Sequence, residues 1–280
     1  MVYIFTALYC EAHIFIRQFK LIKNQESTWF QEFYNETSGI RLTITGVGEI
    51  AAAAAVSSIC SVYKPTQGDL LLNVGICAHT TKKDGIFLCN KIIEKATGKT
   101  FYPDILYRHN FCEGTIVTEM LPWNGKKNAS PTENLYDMEA AAVYQTGIHF
   151  FGPHQMIFLK VVSDSGAVEE ISREQAEHLM EKYQDCIFDH IEQISYITQK
   201  NMCRRNRLHQ EEDRLIETFC ADLHCSKSMR DSMQQYIRYL TLAGIDYVSV
   251  IRDMYEKELL PCKDKREGKL RFEEFKRRLF

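Results

Sequence analysis

The chain has no strong excess of charge of either sign, no closely spaced cysteine pair, no internal repeat and no long apolar run. Each absence excludes a class of protein. With 34 Lys and Arg against 37 Asp and Glu the net charge is −3, which gives no case for nucleic acid as a partner. Ten cysteines are scattered without a C-x-x-C pair or metal-ligand spacing, and several sit in apolar runs, where Cys acts as a small buried hydrophobe. That usage fits a reducing, cytoplasmic setting, and no metal and no cofactor is expected. The N-terminus is apolar but lacks a cationic leader and carries Glu11, so it does not read as a signal peptide. No segment approaches the roughly 18 apolar residues that span a bilayer, so no membrane partner is expected.

The composition is that of a soluble globular protein: 45% apolar and 25% charged residues over 280 positions, enough for one large domain or a domain with an appendage. Residues 2–8 read as a central strand, with a helix starting near residue 12. Residues 40–45 form a second strand, ending in Gly46-Val47-Gly48, and the alanine-rich residues 49–63 a helix. Residues 69–74 are a third strand, closing on Gly75. Strand, glycine turn, helix and strand make a βαβ unit with parallel pairing. The form Gly46-x-Gly48-x-x-Ala51 matches a dinucleotide fingerprint. The next strand, however, closes on Asn73 and Gly75 rather than on an acid, so the glycines are read as a packing turn.

The middle is less regular, with short strands at 85–88 and 114–118, a loop over 100–108, a turn at Pro122-Trp123-Asn124-Gly125 and a polar stretch over 126–132. A helix over 139–146, a strand over 156–162 and a long helix over 172–199 follow. The predicted boundary lies at residue 199. Residues 200–280 read as a helical domain of unknown role, with segments at 207–223, 228–242, 246–259 and 270–279 and a joint marked by Pro261 and Gly268. The first 199 residues hold 16 basic against 23 acidic side chains, the remainder 18 against 14. The run Arg204-Arg205-Asn206-Arg207 reads as a solvated, self-paired helix face.

Chemistry concentrates in two segments. Asp137-Met138-Glu139-Ala140-Ala141-Ala142 places acids before a helix whose small residues allow close packing. Val161-Val162-Ser163-Asp164-Ser165 places Asp164 at the end of an apolar strand, where α/β folds hold their ligands. Two acids held by rigid elements point to acid/base chemistry on a small molecule.

Together with Ala7-Leu8-Tyr9-Cys10-Glu11, Thr45-Gly46-Val47-Gly48 and Leu72-Asn73-Val74-Gly75-Ile76-Cys77-Ala78, these segments occur in the order of the nucleoside phosphorylase and nucleosidase superfamily. The chain most resembles methylthioadenosine/S-adenosylhomocysteine nucleosidases, over about residues 1–198. The resemblance implies a three-layer α/β/α phosphorylase/hydrolase-like fold, here with a C-terminal helical appendage, a nucleoside partner and a homodimer. It implies that Asp164 protonates the leaving purine, Glu11 activates water, Glu139 holds the ribose hydroxyls and Met138 packs on sugar or base. Gly75, Cys77 and Ser163 fall among the implied substrate-binding residues, Trp123 is the candidate base-stacking aromatic, and Phe101 and Tyr102 lie where the family reaches into a partner's site. This sequence departs from the family at Ile76-Cys77-Ala78-His79, where nucleosidases carry Ser-Ala-Gly-Gly.

The expected reaction is hydrolysis of a purine nucleoside or thionucleoside. A phosphorylase must bind dianionic phosphate with arginine or an amide nest; this chain has Asn73-Val74-Gly75 and Glu11 at those places. A phosphate-dependent phosphorylase, or a nucleoside-binding scaffold that works through its C-terminal helices, is the alternative.

Overall fold

The computed structural model describes residues 1–26, 29–125, 132–166 and 171–279, without the side chains of residues 199–210, 238 and 242. Most of the polar stretch near 126–132 and the side chains of Arg204, Arg205, Asn206 and Arg207 therefore lie outside the described residues. In chain order the elements are β1 (Val2–Thr6), α1 (Tyr9–Gln18), β2 (Ile22–Lys23), β3 (Gln31–Asn35), β4 (Ile40–Ile44), α2 (Glu49–Tyr63), β5 (Leu70–His79), β6 (Ile86–Glu94), β7 (Thr100–Phe101), β8 (Cys112–Thr118), β9 (Leu135–Asp137), α3 (Ala140–Gly147) and β10 (Met156–Asp164). The helices α4 (Arg173–Asp222), α5 (Lys227–Leu242), α6 (Tyr247–Glu256) and α7 (Lys265–Arg278) complete the chain. Two compact units result, Met1–Gln199 and Lys200–Phe280.

Side chains alternate across each strand of the first unit, so each strand feeds two cores. Tyr3, Phe5, Leu71, Met156 and Phe158 pack with Ala52, Val56 and Ile59 of α2 and Ala140 and Val143 of α3. Their neighbours Val2, Ile4, Leu70, Leu72, Ile157 and Leu159 pack with Ile14 and Phe15 of α1 and Met180, Ile187 and Ile191 of α4. Helices on both faces of one sheet make the three-layer α/β/α fold.

The sheet is not open. Along one edge β5 pairs with β10 from Leu71 to Ala78. Its other edge carries β1 over Leu70–Asn73 and then antiparallel β9 at Ala78 and His79. Because β10 also pairs with β6, β6 with β8, and β8 with β9, the strands β5, β10, β6, β8 and β9 close a ring. On β5, β1 and β9 part company over residues 74–77. That gap positions the site.

The second unit packs Phe219, Leu223, Met233, Leu240, Ile251, Met254 and Phe275 into its own core. Its helices start at side-chain caps: Ser226 accepts from Met229 N, Asp246 from Ser249 N, and Asp264 from Arg266 N and Glu267 N. Two expectations are corrected here. Helix α4 runs unbroken from Arg173 to Asp222, because residues 199–207 hold no glycine or proline to stop it. Gly268 is not a joint but lies inside α7, where a Cβ would meet the Leu223 carbonyl oxygen at 1.8 Å. It is a packing glycine. In the first unit β5, β6 and β10 extend beyond their expected ends, and β3 and β9 are additional strands.

Candidate active site

A cavity of about 530 Å3 opens at the carboxyl ends of the parallel strands β1, β4, β5 and β10. Its walls include Ala7, Leu8 and Glu11 from the β1–α1 turn, Val47, Ile76–Ala78 from β5, Pro122 and Trp123, Tyr136–Glu139, and Ser163 and Asp164. The expected site residues Glu11, Cys77, Trp123, Met138, Glu139, Ser163 and Asp164 thus meet on one surface. Gly75 stands behind it.

Glu11 owes its place to local helix chemistry. As the third residue of α1 it reaches back to accept from Ala7 N (2.8 Å) and Leu8 N (2.9 Å), the carboxylate half of a capping box. Its other oxygen crosses to β5 and accepts from Ile76 N (2.9 Å), filling the gap between β1 and β9. Gly75 permits this approach, since a Cβ there would stand 2.7 Å from Glu11 Oε1. Burial pushes the Glu11 carboxyl above its ordinary value, against the three amide bonds and the Lys160 charge that favour the anion.

Glu139, at the start of α3, accepts from Gly48 N at 2.8 Å. The glycine loop that has the form of a dinucleotide fingerprint therefore turns its amide to a carboxylate. Burial, then the Asp137 charge, pushes the Glu139 carboxyl up to about 7. Asp164 accepts from Gly166 N at 2.7 Å, and the Ser163 hydroxyl lies 2.9 Å from its Oδ2 and 3.0 Å from the Cys77 carbonyl oxygen. Trp123 is buried in the wall with one face stacked on Tyr136, centroids 4.3 Å apart and planes at 5°.

Cys77 is fully enclosed and burial holds its thiol well above the ordinary value, so it offers no thiolate nucleophile. His79 is equally committed: its Nδ1 accepts from Thr81 N and Lys82 N, its ring stacks on Phe87, and burial lowers its pKa. Among the described residues no group of three or more His, Cys, Asp or Glu side chains is arranged to hold a metal ion, and no helix is long and apolar enough to cross a membrane.

Sequence reasoning missed Lys160 and its partner. Lys160 sits mid-strand in β10, 1% exposed, with Nζ 2.9 Å from Asp137 Oδ2. Burial opposes its charge, but Asp137 and Glu139 outweigh burial and raise its pKa. The signal was present: a lone lysine inside the run Met156-Ile157-Phe158-Leu159-Lys160-Val161-Val162 cannot be buried as a cation without a carboxylate.

The ring-closed sheet between two helical layers, with its cavity at the strand ends, is a fold shared with solved nucleosidase structures. Among solved structures, the chain is similar to the 5'-methylthioadenosine nucleosidase of Arabidopsis thaliana in apo form, at 16% identity and a TM-score of 0.57, over 69% of this chain and 95% of that one. It is also similar to an MTA/SAH nucleosidase (14%, TM-score 0.53, 69% and 95%) and to a futalosine hydrolase mutant of Helicobacter pylori strain 26695 (11%, TM-score 0.51, 69% and 98%). No protein-family model matches the sequence, and no curated protein matches it.

Proposed function

We propose that residues 1–199 hydrolyse the N-glycosidic bond of a purine nucleoside or thionucleoside. One observation carries this reading: Glu11, Glu139 and Asp164, far apart in sequence, share a cavity whose lining contains no Lys or Arg among the described residues. Cleavage of such a bond builds positive charge on the ribosyl ring while electrons move to the base. Asp164 donates the proton that the departing base needs, Glu11 takes a proton from the attacking water, and Glu139 accepts hydrogen bonds from the ribose hydroxyls. Acidic side chains with no Lys or Arg beside them in the described lining favour the cationic ring and disfavour a dianionic phosphate. The nearby cation Lys160 is bound to Asp137, so hydrolysis is favoured over phosphorolysis.

The test is base release from methylthioadenosine, S-adenosylhomocysteine, adenosine and inosine, with and without phosphate. The expected result is release that phosphate does not accelerate. Strict phosphate dependence would make the protein a phosphorylase. A second reading, binding without turnover, is favoured by the three backbone amides that already occupy Glu11; tight calorimetric binding with no product would establish it.

Gly75→Ala tests the placement of Glu11. The new methyl must displace a carboxylate pinned by three amides, and the expected outcome is a folded protein with at least about tenfold slower base release.

The reading includes a homodimer. Helix α2 has no charged residue after Glu49, and Ile50, Ala54, Ser57, Ser61 and Val62 are exposed along it, with Ile50 at 86%. An uncharged exposed face of this kind fits a second copy better than water. Tyr102 is also exposed, whereas Phe101 stacks on Tyr144 within its own protomer. Ile50→Glu is expected to convert dimer to monomer in light scattering; a wild-type monomer overturns the assignment.

A further inference from the structure

Asp137 in the cavity wall belongs to a charge pair that the proposed chemistry does not use. Lys160 on β10 lies in register with Gly75 of β5, and its ammonium meets Asp137 Oδ2 at 2.9 Å. Asp137 in turn holds the start of α3: its Oδ2 accepts from Ala140 N at 2.9 Å, and its Oδ1 accepts from the Thr118 hydroxyl at 2.7 Å. Thr118 Oγ1 also accepts from Ala141 N at 2.9 Å. Two amides of the first turn of α3 are thereby tied to β8 and β10, and Glu139 is the residue that opens that turn.

We propose that Lys160 is a positioning residue for the site: through Asp137 it fixes the first turn of α3 and with it the Glu139 carboxylate, and its buried charge offsets the negative charge that Glu11 and Glu139 bring to the cavity. The groups that act on it are Asp137, Glu139 and Glu11. The buried thiols Cys77 and Cys89 also lie within its field. A lysine in an apolar strand is costly unless paired, and a pair that served stability alone would be replaceable by packed apolar residues. Here Lys160 lies where its charge favours the anions of both Glu11 and Glu139, against Asp137, which pushes the Glu139 carboxyl up.

The inference rests on the nucleosidase reading for its purpose, but its test does not need turnover. Protein labelled with carboxyl-13C glutamate is titrated by NMR, and the Glu139 signal is assigned from its loss in Glu139→Gln. Lys160→Met removes the cation and is expected to move the Glu139 midpoint to higher pH by about one unit. Asp137→Asn removes the neighbouring anion and is expected to move it to lower pH. Lys160→Arg, which keeps the charge, stays near wild type. Opposite shifts support the proposal; shifts of one sign, or none, overturn it, because a structural defect has no reason to reverse sign between the two. If Lys160→Met does not fold, the double variant Lys160→Met/Asp137→Asn, which leaves no buried charge unpaired, is compared with Asp137→Asn: a higher Glu139 midpoint in the double variant supports the proposal and an unchanged one overturns it. A wild-type protein without base release would sink the nucleosidase reading and leave these shifts to be read as before.

Discussion

Asp164→Asn is expected to slow base release by about 10²–10⁴-fold while leaving the protein folded. The amide keeps the size of the carboxyl, and its oxygen can still accept from Gly166 N, the contact at 2.7 Å that anchors the loop after β10. The Ser163 hydroxyl keeps its alternative acceptor, the Cys77 carbonyl at 3.0 Å. The substitution is therefore aimed at the proton that Asp164 is proposed to give to the leaving base. Substrate binding should change far less than turnover, because the proton moves only as the bond breaks. The measurement is kcat and KM of wild type and variant on whichever nucleoside proves active. Full activity in the variant would remove Asp164 from the reaction.

The second large effect is on stability against pH. Glu139 titrates near 7 in the folded protein, against about 4.5 for a free glutamate, chiefly because it is buried. Between those values the unfolded chain has released the proton and the folded chain still holds it. Stability from this group is therefore present below about pH 4.5 and lost as pH rises toward 7. At about 1.4 kcal/mol per unit, the loss amounts to about 3 kcal/mol. Glu139→Gln keeps an acceptor for Gly48 N and does not ionise. Urea unfolding at pH 5 and pH 8 should find the variant gaining on wild type by about 2–3 kcal/mol at the higher pH. A constant difference between the two would mean that Glu139 is not held protonated. Function pulls the other way, since the ionised carboxylate is the stronger acceptor for ribose hydroxyls, so kcat/KM is expected to rise with pH through about 7.

Much of this was legible in the sequence, for identifiable reasons. Strands β1, β5 and β10 are buried on both faces and announce themselves as apolar runs, interrupted only by Asn73 in β5 and Lys160 in β10. Asp164 stands where the last of these runs ends. The three-residue β9, Leu135-Tyr136-Asp137, is too short to show a period, yet it closes the ring and carries Asp137. The capping role of Glu11 was hidden because its N-cap is Leu8, a residue with no side-chain acceptor. Lys160 was visible as an anomaly in its run, but its partner lies 23 residues earlier on an element that local pattern does not reveal. The helix boundaries in the second unit failed at Gly268 for the same reason: its meaning depends on Leu223, which only the packed structure brings alongside.

The double pairing of β5 also dictates when the cavity comes into being during synthesis. Leu72 pairs with Ile4, 68 residues earlier, and with Ile157, 85 residues later. Contacts closed over such distances form slowly, because the chain entropy is lost before the pairing repays it. A nascent chain stalled before residue 156 has Glu11 and Glu139 but no ring to hold them, and the edge of β5 that β10 will cover stands open to other strands. The cavity is thus completed only once β10 has paired with β5. Stalled chains ending before β10 should be more aggregation-prone and protease-sensitive than chains that carry both β10 and the part of α4 that covers the sheet.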